Sequence, residues 1–482
     1  MLFNSIEFAL FLPVVFLLYW FVFHKSIRYQ NTLILIASYF FYGWWNWRFL
    51  LLILLSTLID YIIGLSLENE EDDVKRKFLL FTSIGVNIGL LGVFKYYNFF
   101  AESFAAAFSL FGTPFDPIRL NIILPIGISF YTFQTLSYSI DIYWRKLEAT
   151  RDFISFAAFV SFFPQLVAGP VERAKNLLPQ FHKNRVFDYH NPTNGLRQIL
   201  WGLFKKIVIA DNCAVYANLT FDNTMDYSGS TLALGAVLFA FQIYCDFSGY
   251  SDIAIGTAKL FGFKLMQNFA YPHFSRDIAE FWRRWHISLS TWFRDYLYIP
   301  MGGSRVSKVK RIRNVFIIFI IGGFWHGADI KFLAYGSLHA LYILPLIILG
   351  KNRKNLDVVA YGKFLPSIRD VFDMGTTFCL RVFALIIFRA ASIEDAFIFM
   401  SRLFTKELFS LPSIEVQNES SLVLYSLILI FNLIEWVHRD KEFALSNLNL
   451  HIVLRWSFYI IIILLICFYK SPTSENFIYF QF

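Results

Sequence analysis

Residues 6–23 read IEFALFLPVVFLLYWFVF, with Glu7 as the one charged side chain. Similar runs recur along the chain and constrain it more than any other feature. Crossing about 30 Å of hydrocarbon takes roughly 20 apolar residues in a helix. Further spans are expected near 31–45, 48–66, 78–97, 121–143, 196–218, 231–247, 331–349, 375–391, 421–437 and 453–469. The runs 153–168, 252–263 and 314–328 are too short to cross. They predict half-helices or re-entrant pieces, which are tolerated where they are buried in protein. The expected fold is therefore all-α, a polytopic membrane protein of about eleven spans with such pieces added.

Composition supports this reading. Hydrophobic residues make up 57% and charged residues 16%, against roughly 25% charged in soluble domains. Phenylalanine alone contributes 58 residues. A chain with so little polar surface cannot cover a water-soluble globule, and disordered, collagen-like and disulfide-scaffold classes are excluded as well. Cys213, Cys245, Cys379 and Cys467 form no C-x-x-C pair. They read as small core residues, with neither a disulfide framework nor a zinc site.

The net charge is +8. In a membrane protein this excess belongs to cytoplasmic loops, so no nucleic-acid partner is inferred. No basic residue precedes the first run and no small-residue cleavage site follows it, so it is expected to stay in the mature chain. Lys25 and Arg28 directly after it favour an outside N-terminus. The charged stretches Glu68–Lys77 and Arg145–Arg151 then fall on the cytoplasmic side. The strongest such marker is Gly302–Arg313, GGSRVSKVKRIR, with five basic residues and no acid. It is either a topology signal or a site for a polyanionic ligand, with Arg305, Lys308 and Arg311 as contacts. No internal repeat and no Pro- or Gly/Ser-rich linker divides the chain.

Nucleotide-binding, serine-hydrolase and zincin motifs are all missing, and no H-x-x-x-H or H-x-H pair offers a metal site. What remains is a few polar residues inside apolar segments, which are functional candidates by default. His326 is the one ionisable group between Val315 and Ala328, flanked by Gly322, Gly323 and Gly327. Burial favours its neutral form, which has a ring nitrogen free to take a proton. A core histidine bonded to a neighbouring helix is the alternative. His286 lies in a stretch from Phe281 to Tyr298. On a helical wheel Trp282, Trp285, Leu289, Trp292, Phe293 and Tyr296 share one face, and Arg284, Ser288, Thr291 and Asp295 the other. This predicts one amphipathic helix lying along the interface. The segment Tyr244–Asp252, with Asp246 and Ser248, is read as a cap and loop or as a polar tunnel lining whose Asp246 orients a histidine.

At these residues the chain resembles the membrane-bound O-acyltransferase family. The likeness is to the branch that holds the alginate O-acetyltransferase membrane protein and the D-alanyl transfer protein of teichoic acids. It rests on Phe94-Lys-Tyr-Tyr-Asn-Phe-Phe100, Leu124-Pro-Ile-Gly-Ile-Ser-Phe-Tyr-Thr-Phe-Gln134, Phe163-Pro-Gln-Leu-Val-Ala-Gly-Pro170, the Asp246 segment, the Trp282 stretch and Phe324-Trp-His-Gly327. Phe388-Arg389-Ala390 and the closing Phe477–Phe482 point to the alginate type.

The resemblance implies a single integral-membrane acyltransferase domain over residues 1–482, in a bacterial cytoplasmic membrane and surrounded by lipid, with a central tunnel. It implies His326 as the catalytic residue and His286 as the second family position. Asp246, Ser248, Trp282, Asp295, Gly323 and Trp325 would line or support the tunnel. No bound cofactor and no metal are implied. Acetyl-CoA is the expected co-substrate, entering from the basic face, and the acceptor is a hydroxyl of an exported polysaccharide or of an extracytoplasmic acetyltransferase. Transfer of D-alanyl or another acyl group is an alternative. A polysaccharide-precursor transporter is a further one, although the inverted repeats common in transporters are not seen.

Overall fold

Apolar sequence decides where the backbone runs as helix, and in the computed structural model every regular element among the described residues is helical. The structure describes residues 1–482 except 113–114, 121–122, 126, 168, 415–420, 447, 449, 471–476 and 479–482. Of the segments that carry the family resemblance, Ile126, Ala168 and residues 479–482 thus lie outside the described residues. The chain forms two compact units, Met1–Leu196 with Ala254–Met266, and Arg197–Ile253 with Gln267–Phe482.

The first unit holds α1 (Ile6–Leu17), α2 (Ile27–Asn46), α3 (Leu50–Asn69), α4 (Asp73–Leu91), α5 (Tyr97–Leu110), α6 (Ile128–Tyr143), α7 (Phe153–Ser161), α8 (Phe163–Leu166) and α9 (Ala174–Phe181). Side-chain caps fix several starts. The Ser5 hydroxyl accepts from Phe8 N, and Asp72 accepts from Val74 N and Lys75 N, each replacing a partner the first turn lacks. Polar side chains tie α3, α4 and α6 together. The buried Asp60 carboxyl accepts from Ser83 Oγ at 2.5 Å, Asn87 Nδ2 at 2.8 Å and Ser139 Oγ at 3.1 Å. In lipid, where hydrophobicity gives helices little reason to associate, such bonds and close packing hold them together. The short helices α7 and α8, separated at Phe162, are buried from Ser155 to Leu166. The expectation of half-helices enclosed in protein is met there.

The second unit takes the end of α10 (His190–Leu203), then α11 (Asp211–Asp222) and most of α12 (Gly229–Leu260). It continues with α13 (Ile278–Arg284), α14 (Ile287–Phe293), α15 (Lys308–His326), α16 (Ile330–Ile348), α17 (Ile368–Arg389), α18 (Ile393–Leu403), α19 (Ser421–Val437) and α20 (Ile452–Phe468). The runs 231–247 and 252–263, expected as separate pieces, belong to the single helix α12. Gln242, Asp246, Ser248 and Asp252 therefore sit within a helix and not in a loop. Asp246, Ser248 and Asp252 find partners on a π-helical turn at Phe204–Ala210. Lys205 Nζ reaches Asp252 at 2.6 Å and Ser248 Oγ at 2.9 Å, and Lys206 Nζ reaches Asp211 at 2.7 Å and Asp246 at 2.8 Å. Buried charges persist only when paired in this way.

Among the described residues, five helical stretches are long and apolar enough to cross a membrane: 27–69, 73–110, 229–260, 330–348 and 368–389. Four shorter apolar ones accompany them. This is a multi-pass membrane protein, with fewer qualifying stretches than the eleven spans expected. Part of the difference is the stretch 27–69, where two expected spans are joined through a tight turn at Trp47–Phe49. Of the four cysteines, Cys213 and Cys245 are buried. Cys379 and Cys467 are exposed and are not core residues.

Candidate functional site

The basic run and the glycine-flanked histidine prove to be the two ends of one helix. Helix α15 begins at Lys308 and ends at His326. Cations at a helix N-terminus oppose the macrodipole, so Lys308, Lys310, Arg311 and Arg313 do not sit there for helix stability. At the other end the dipole is negative, which favours an imidazolium formed at His326.

Helices α15 and α16 form a hairpin of very close approach. A Cβ at Gly323 would strike the carbonyl oxygen of Phe332, and one at Gly336 would strike that of Phe319. Only glycine admits backbone this near. Alongside the hairpin lies a cavity of about 550 Å³. Arg311, Val315, Ile318, Phe319, Gly322, Gly323 and His326 line it from one face of α15, at helical spacing. Tyr335, Gly336, Ile343 and Ile347 line it from α16, and Trp282, Arg283, Thr291, Phe293, Arg294 and Tyr298 from the α13–α14 region. His326 is 7% exposed, with its ring centroid 5.3 Å from Phe388 and 4.9 Å from Trp325. One cavity thus has a histidine and, elsewhere on its wall, the arginines 283, 294, 311 and 353.

The stretch from Phe281 to Tyr298 departs from its expected form. It is not one interfacial helix but α13, a break at Trp285–His286, then α14 and a π-helical turn at Arg294–Tyr298. His286 adopts φ 43°, outside the helical region. The aromatic face is covered by protein, with Trp285, Leu289, Trp292, Phe293 and Tyr296 all buried. A surface helix would leave that face to lipid; here the break folds it inward.

At the break, His286 is 1% exposed and its Nδ1 lies 3.2 Å from Asn268 Oδ1. The Asn268 amide orientation is fixed by its neighbours. Its oxygen accepts from Ser288 N at 3.4 Å and from Ser288 Oγ at 2.8 Å, while its Nδ2 donates to Ser251 Oγ at 2.9 Å. His286 must therefore carry its proton on Nδ1, leaving the Nε2 lone pair without a hydrogen bond among the described residues. Burial pushes this imidazole down to about 3. His286 does not line the cavity, although Ile287 does. Its link to His326 is Trp325, whose ring lies 5.9 Å from His286 and 4.9 Å from His326.

The other expected site residues divide. Trp282 and Gly323 line the cavity, and Trp325 is buried against both histidines. Asp295 pairs with Arg294 at 2.7 Å, and only the arginine reaches the cavity. Asp246 and Ser248 belong to the buried lysine cluster. Asp246 does not orient a histidine: it takes Lys206 on one oxygen and the backbone N–H of Ile478 at 2.7 Å on the other. Of the three basic residues expected at a polyanion, only Arg311 lines the cavity. Arg305 is exposed, and Lys308 Nζ donates to Ile348 O at 3.0 Å, closing the end of α16.

Residues 145–388 match the family model of MBOAT, the membrane-bound O-acyltransferase family. The chain belongs to this family. Every residue that lines the cavity falls within the match. A probable alginate O-acetylase of Pseudomonas syringae pv. tomato is 42% identical over 400 residues, covering 82% of this chain and 74% of that protein. A peptidoglycan O-acetyltransferase of Helicobacter pylori is 36% identical over 425 residues, 82% of this chain and 78% of its own. A teichoic acid D-alanyltransferase of Bacillus subtilis is 28% identical over 261 residues, 52% and 64% respectively. These similarities make the protein an O-acyltransferase, as the Phe324–Gly327 and Trp282 segments implied.

Several residues that shape this candidate site gave no clear signal in the sequence. Arg283, Arg294 and Arg353 are scattered in sequence and meet at the cavity only through the fold. Asn268 sits in an unremarkable stretch. His339 is fully buried on α16, where it accepts from Trp282 Nε1 at 3.2 Å and sets that indole against the cavity. As an ionisable residue within the apolar run 331–349, His339 could have been found by the reasoning that picked out His326.

Proposed function

We propose that the protein transfers an acetyl group from cytoplasmic acetyl-CoA to a hydroxyl, for O-acetylation of an exported polysaccharide, with His326 as general base. The observation that carries this is the single cavity bearing His326 and four arginines. An acyl-CoA has the matching form: a polyanionic nucleotide at one end and a reactive thioester at the end of a thin arm. Guanidinium groups suit phosphate, with charge-assisted and often bidentate hydrogen bonds. The positive-inside rule puts the Arg311 end toward the cytoplasm, where acetyl-CoA is made. On this reading the protein lies in a bacterial cytoplasmic membrane.

The chemistry runs in balanced steps. An acceptor hydroxyl approaches the thioester carbonyl, and a neutral ring nitrogen of His326 takes its proton as the C–O bond forms. Collapse of the tetrahedral species breaks the C–S bond, and the imidazolium returns the proton to the departing thiolate. General-base assistance of this kind is worth about 10²–10⁴ in rate. The negative end of α15 favours the imidazolium in between. The acceptor is the polymer itself or the hydroxyl of an extracytoplasmic acetyltransferase that passes the group on. Similarity to the alginate and peptidoglycan O-acetylating proteins favours an acetyl group and a polysaccharide.

His326→Ala, in purified protein given labelled acetyl-CoA and in cells lacking the wild type, is expected to lower transfer by at least about 10². Unfolding temperature and membrane insertion should be retained. Undiminished polymer acetylation by the variant would refute the assignment, and polysaccharide flux without acetyl transfer would favour a transporter.

A further inference from the structure

A second cavity, of about 370 Å³, lies in the first unit and is lined by Glu68, Arg76, Ile142, Arg145, Lys146, Leu147 and Glu148. It sits where α3 and α6 end and α4 begins. Helices α3 and α4 belong to stretches apolar enough to cross the membrane, so their ends mark the level of lipid headgroups. Buried Arg76 is fully committed. Its guanidinium donates to the carbonyls of Leu67, Glu70, Ile142 and Tyr143, closing the C-terminal ends of α3 and α6.

The four remaining charged groups are different. Glu68, Arg145, Lys146 and Glu148 line the same cavity with exposed side chains, and none of them is paired in the ion pairs of the described residues. A nearby charge pair does form, Lys75 with Glu70. Arg145 holds φ 57°, a left-handed conformation that is costly for a side chain with a Cβ. Lys146 is held with its ammonium 4.1 Å from the Trp144 ring centroid. Two cations and two carboxylates kept apart around one space suit a ligand that itself carries both charges.

We propose that this cavity holds the headgroup of a phospholipid with a primary amine, phosphatidylethanolamine, with Arg145 and Lys146 on its phosphate and Glu68 and Glu148 on its ammonium. Basic pockets between membrane helices are a recurrent means of phosphate recognition. A primary ammonium adds donors that the carboxylates can accept. Phosphatidylcholine has the same charges without N–H donors, and phosphatidylglycerol has the phosphate without the cation. The three lipids therefore separate the contributions.

The test uses the full chain purified into nanodiscs of equimolar phosphatidylethanolamine, phosphatidylcholine and phosphatidylglycerol with identical acyl chains. Lipid that stays bound is counted by native mass spectrometry. The wild type is expected to retain phosphatidylethanolamine about tenfold over each of the others. Glu68→Gln with Glu148→Gln should abolish its preference over phosphatidylcholine. Arg145→Ala with Lys146→Ala should lower retention of all three. Acetyl transfer by the same preparations reports that the variants are folded. Equal retention of the three lipids by the wild type, or an unchanged preference in the carboxamide variant, overturns the proposal. Displacement of the lipid by soluble glycerophosphoethanolamine at equal concentration would assign the same chemistry to a soluble ester and overturn the lipid as its source.

Discussion

His286 shows how much one amide can determine. Asn268 gathers the imidazole, Ser288 and Ser251, and so fixes both the tautomer of His286 and the exit from the break at Trp285–His286. The folded protein keeps this ring neutral down to about pH 3, whereas in the unfolded chain it titrates near 6.5. Between those values the unfolded state binds more protons, so stability falls as pH drops from about 6.5 toward 3. Unfolding in detergent across that range should show this loss, and His286→Gln should flatten part of it. A pH dependence unaltered by the substitution would mean that the imidazole is not shielded as described. The chain itself displayed His286 and His326 as candidates because each interrupts an aromatic or apolar segment. It did not display Asn268, because a short amide in an irregular connecting stretch has no periodicity to violate. Nor could it separate the roles of the two histidines, which follow from the cavity reaching one ring and not the other.

Elements were legible where a helix obeyed a single rule. The apolar runs at 331–349 and 453–469 correspond to α16 and α20 within one residue at each end, and 375–391 falls on α17, which begins seven residues earlier. Reading failed where two rules competed. The polar residues of Tyr244–Asp252 suggested a gap in what is one helix, because the lysine partners of Asp246 and Asp252 lie more than thirty positions earlier. The amphipathic pattern from Phe281 to Tyr298 suggested continuity, yet the aromatic face could be buried only by breaking the helix at His286. Glycine placement in α15 allows a sharp comparison. Gly323→Ala forces a Cβ against the Phe332 carbonyl and should destabilise the protein by about 1–3 kcal/mol. Gly322→Ala meets only the Phe293 ring, at 3.4 Å, and should cost less than about 1 kcal/mol. Thermal unfolding of the two variants in detergent measures the difference; equal losses would show that the hairpin is not limited by that approach.

At the scale of the whole molecule, the proposed donor site draws on arginines far apart in sequence, Arg294 and Arg353 together with Arg311 of the basic run. Neutralising Arg294, Arg311 and Arg353 one at a time should raise KM for acetyl-CoA by about tenfold each, since a hydrogen bond to a charged group is worth about 1.5–3 kcal/mol. kcat should change less. The effect should shrink as salt screens the phosphates. Removing Arg305 and Lys308 together should change KM little, because neither lines the cavity. Steady-state kinetics at low and high salt decides the matter, and a larger effect from the Arg305–Lys308 pair would restore the basic run itself as the anion contact.

One consequence of α15 reaches beyond the identity of its residues. Arg311 and His326 are fifteen positions apart on the same helix, which is about 22 Å along its axis. If an acyl-CoA binds as proposed, a single rigid rod sets the spacing between the arginine that would grip its charged end and the histidine that would meet its reactive end. Selection by this device gauges the length of the connecting arm and ignores the size of the acyl group it delivers. A site built on the proposed pairing would reject a short activated ester while leaving the choice of acyl group to the side chains around His326.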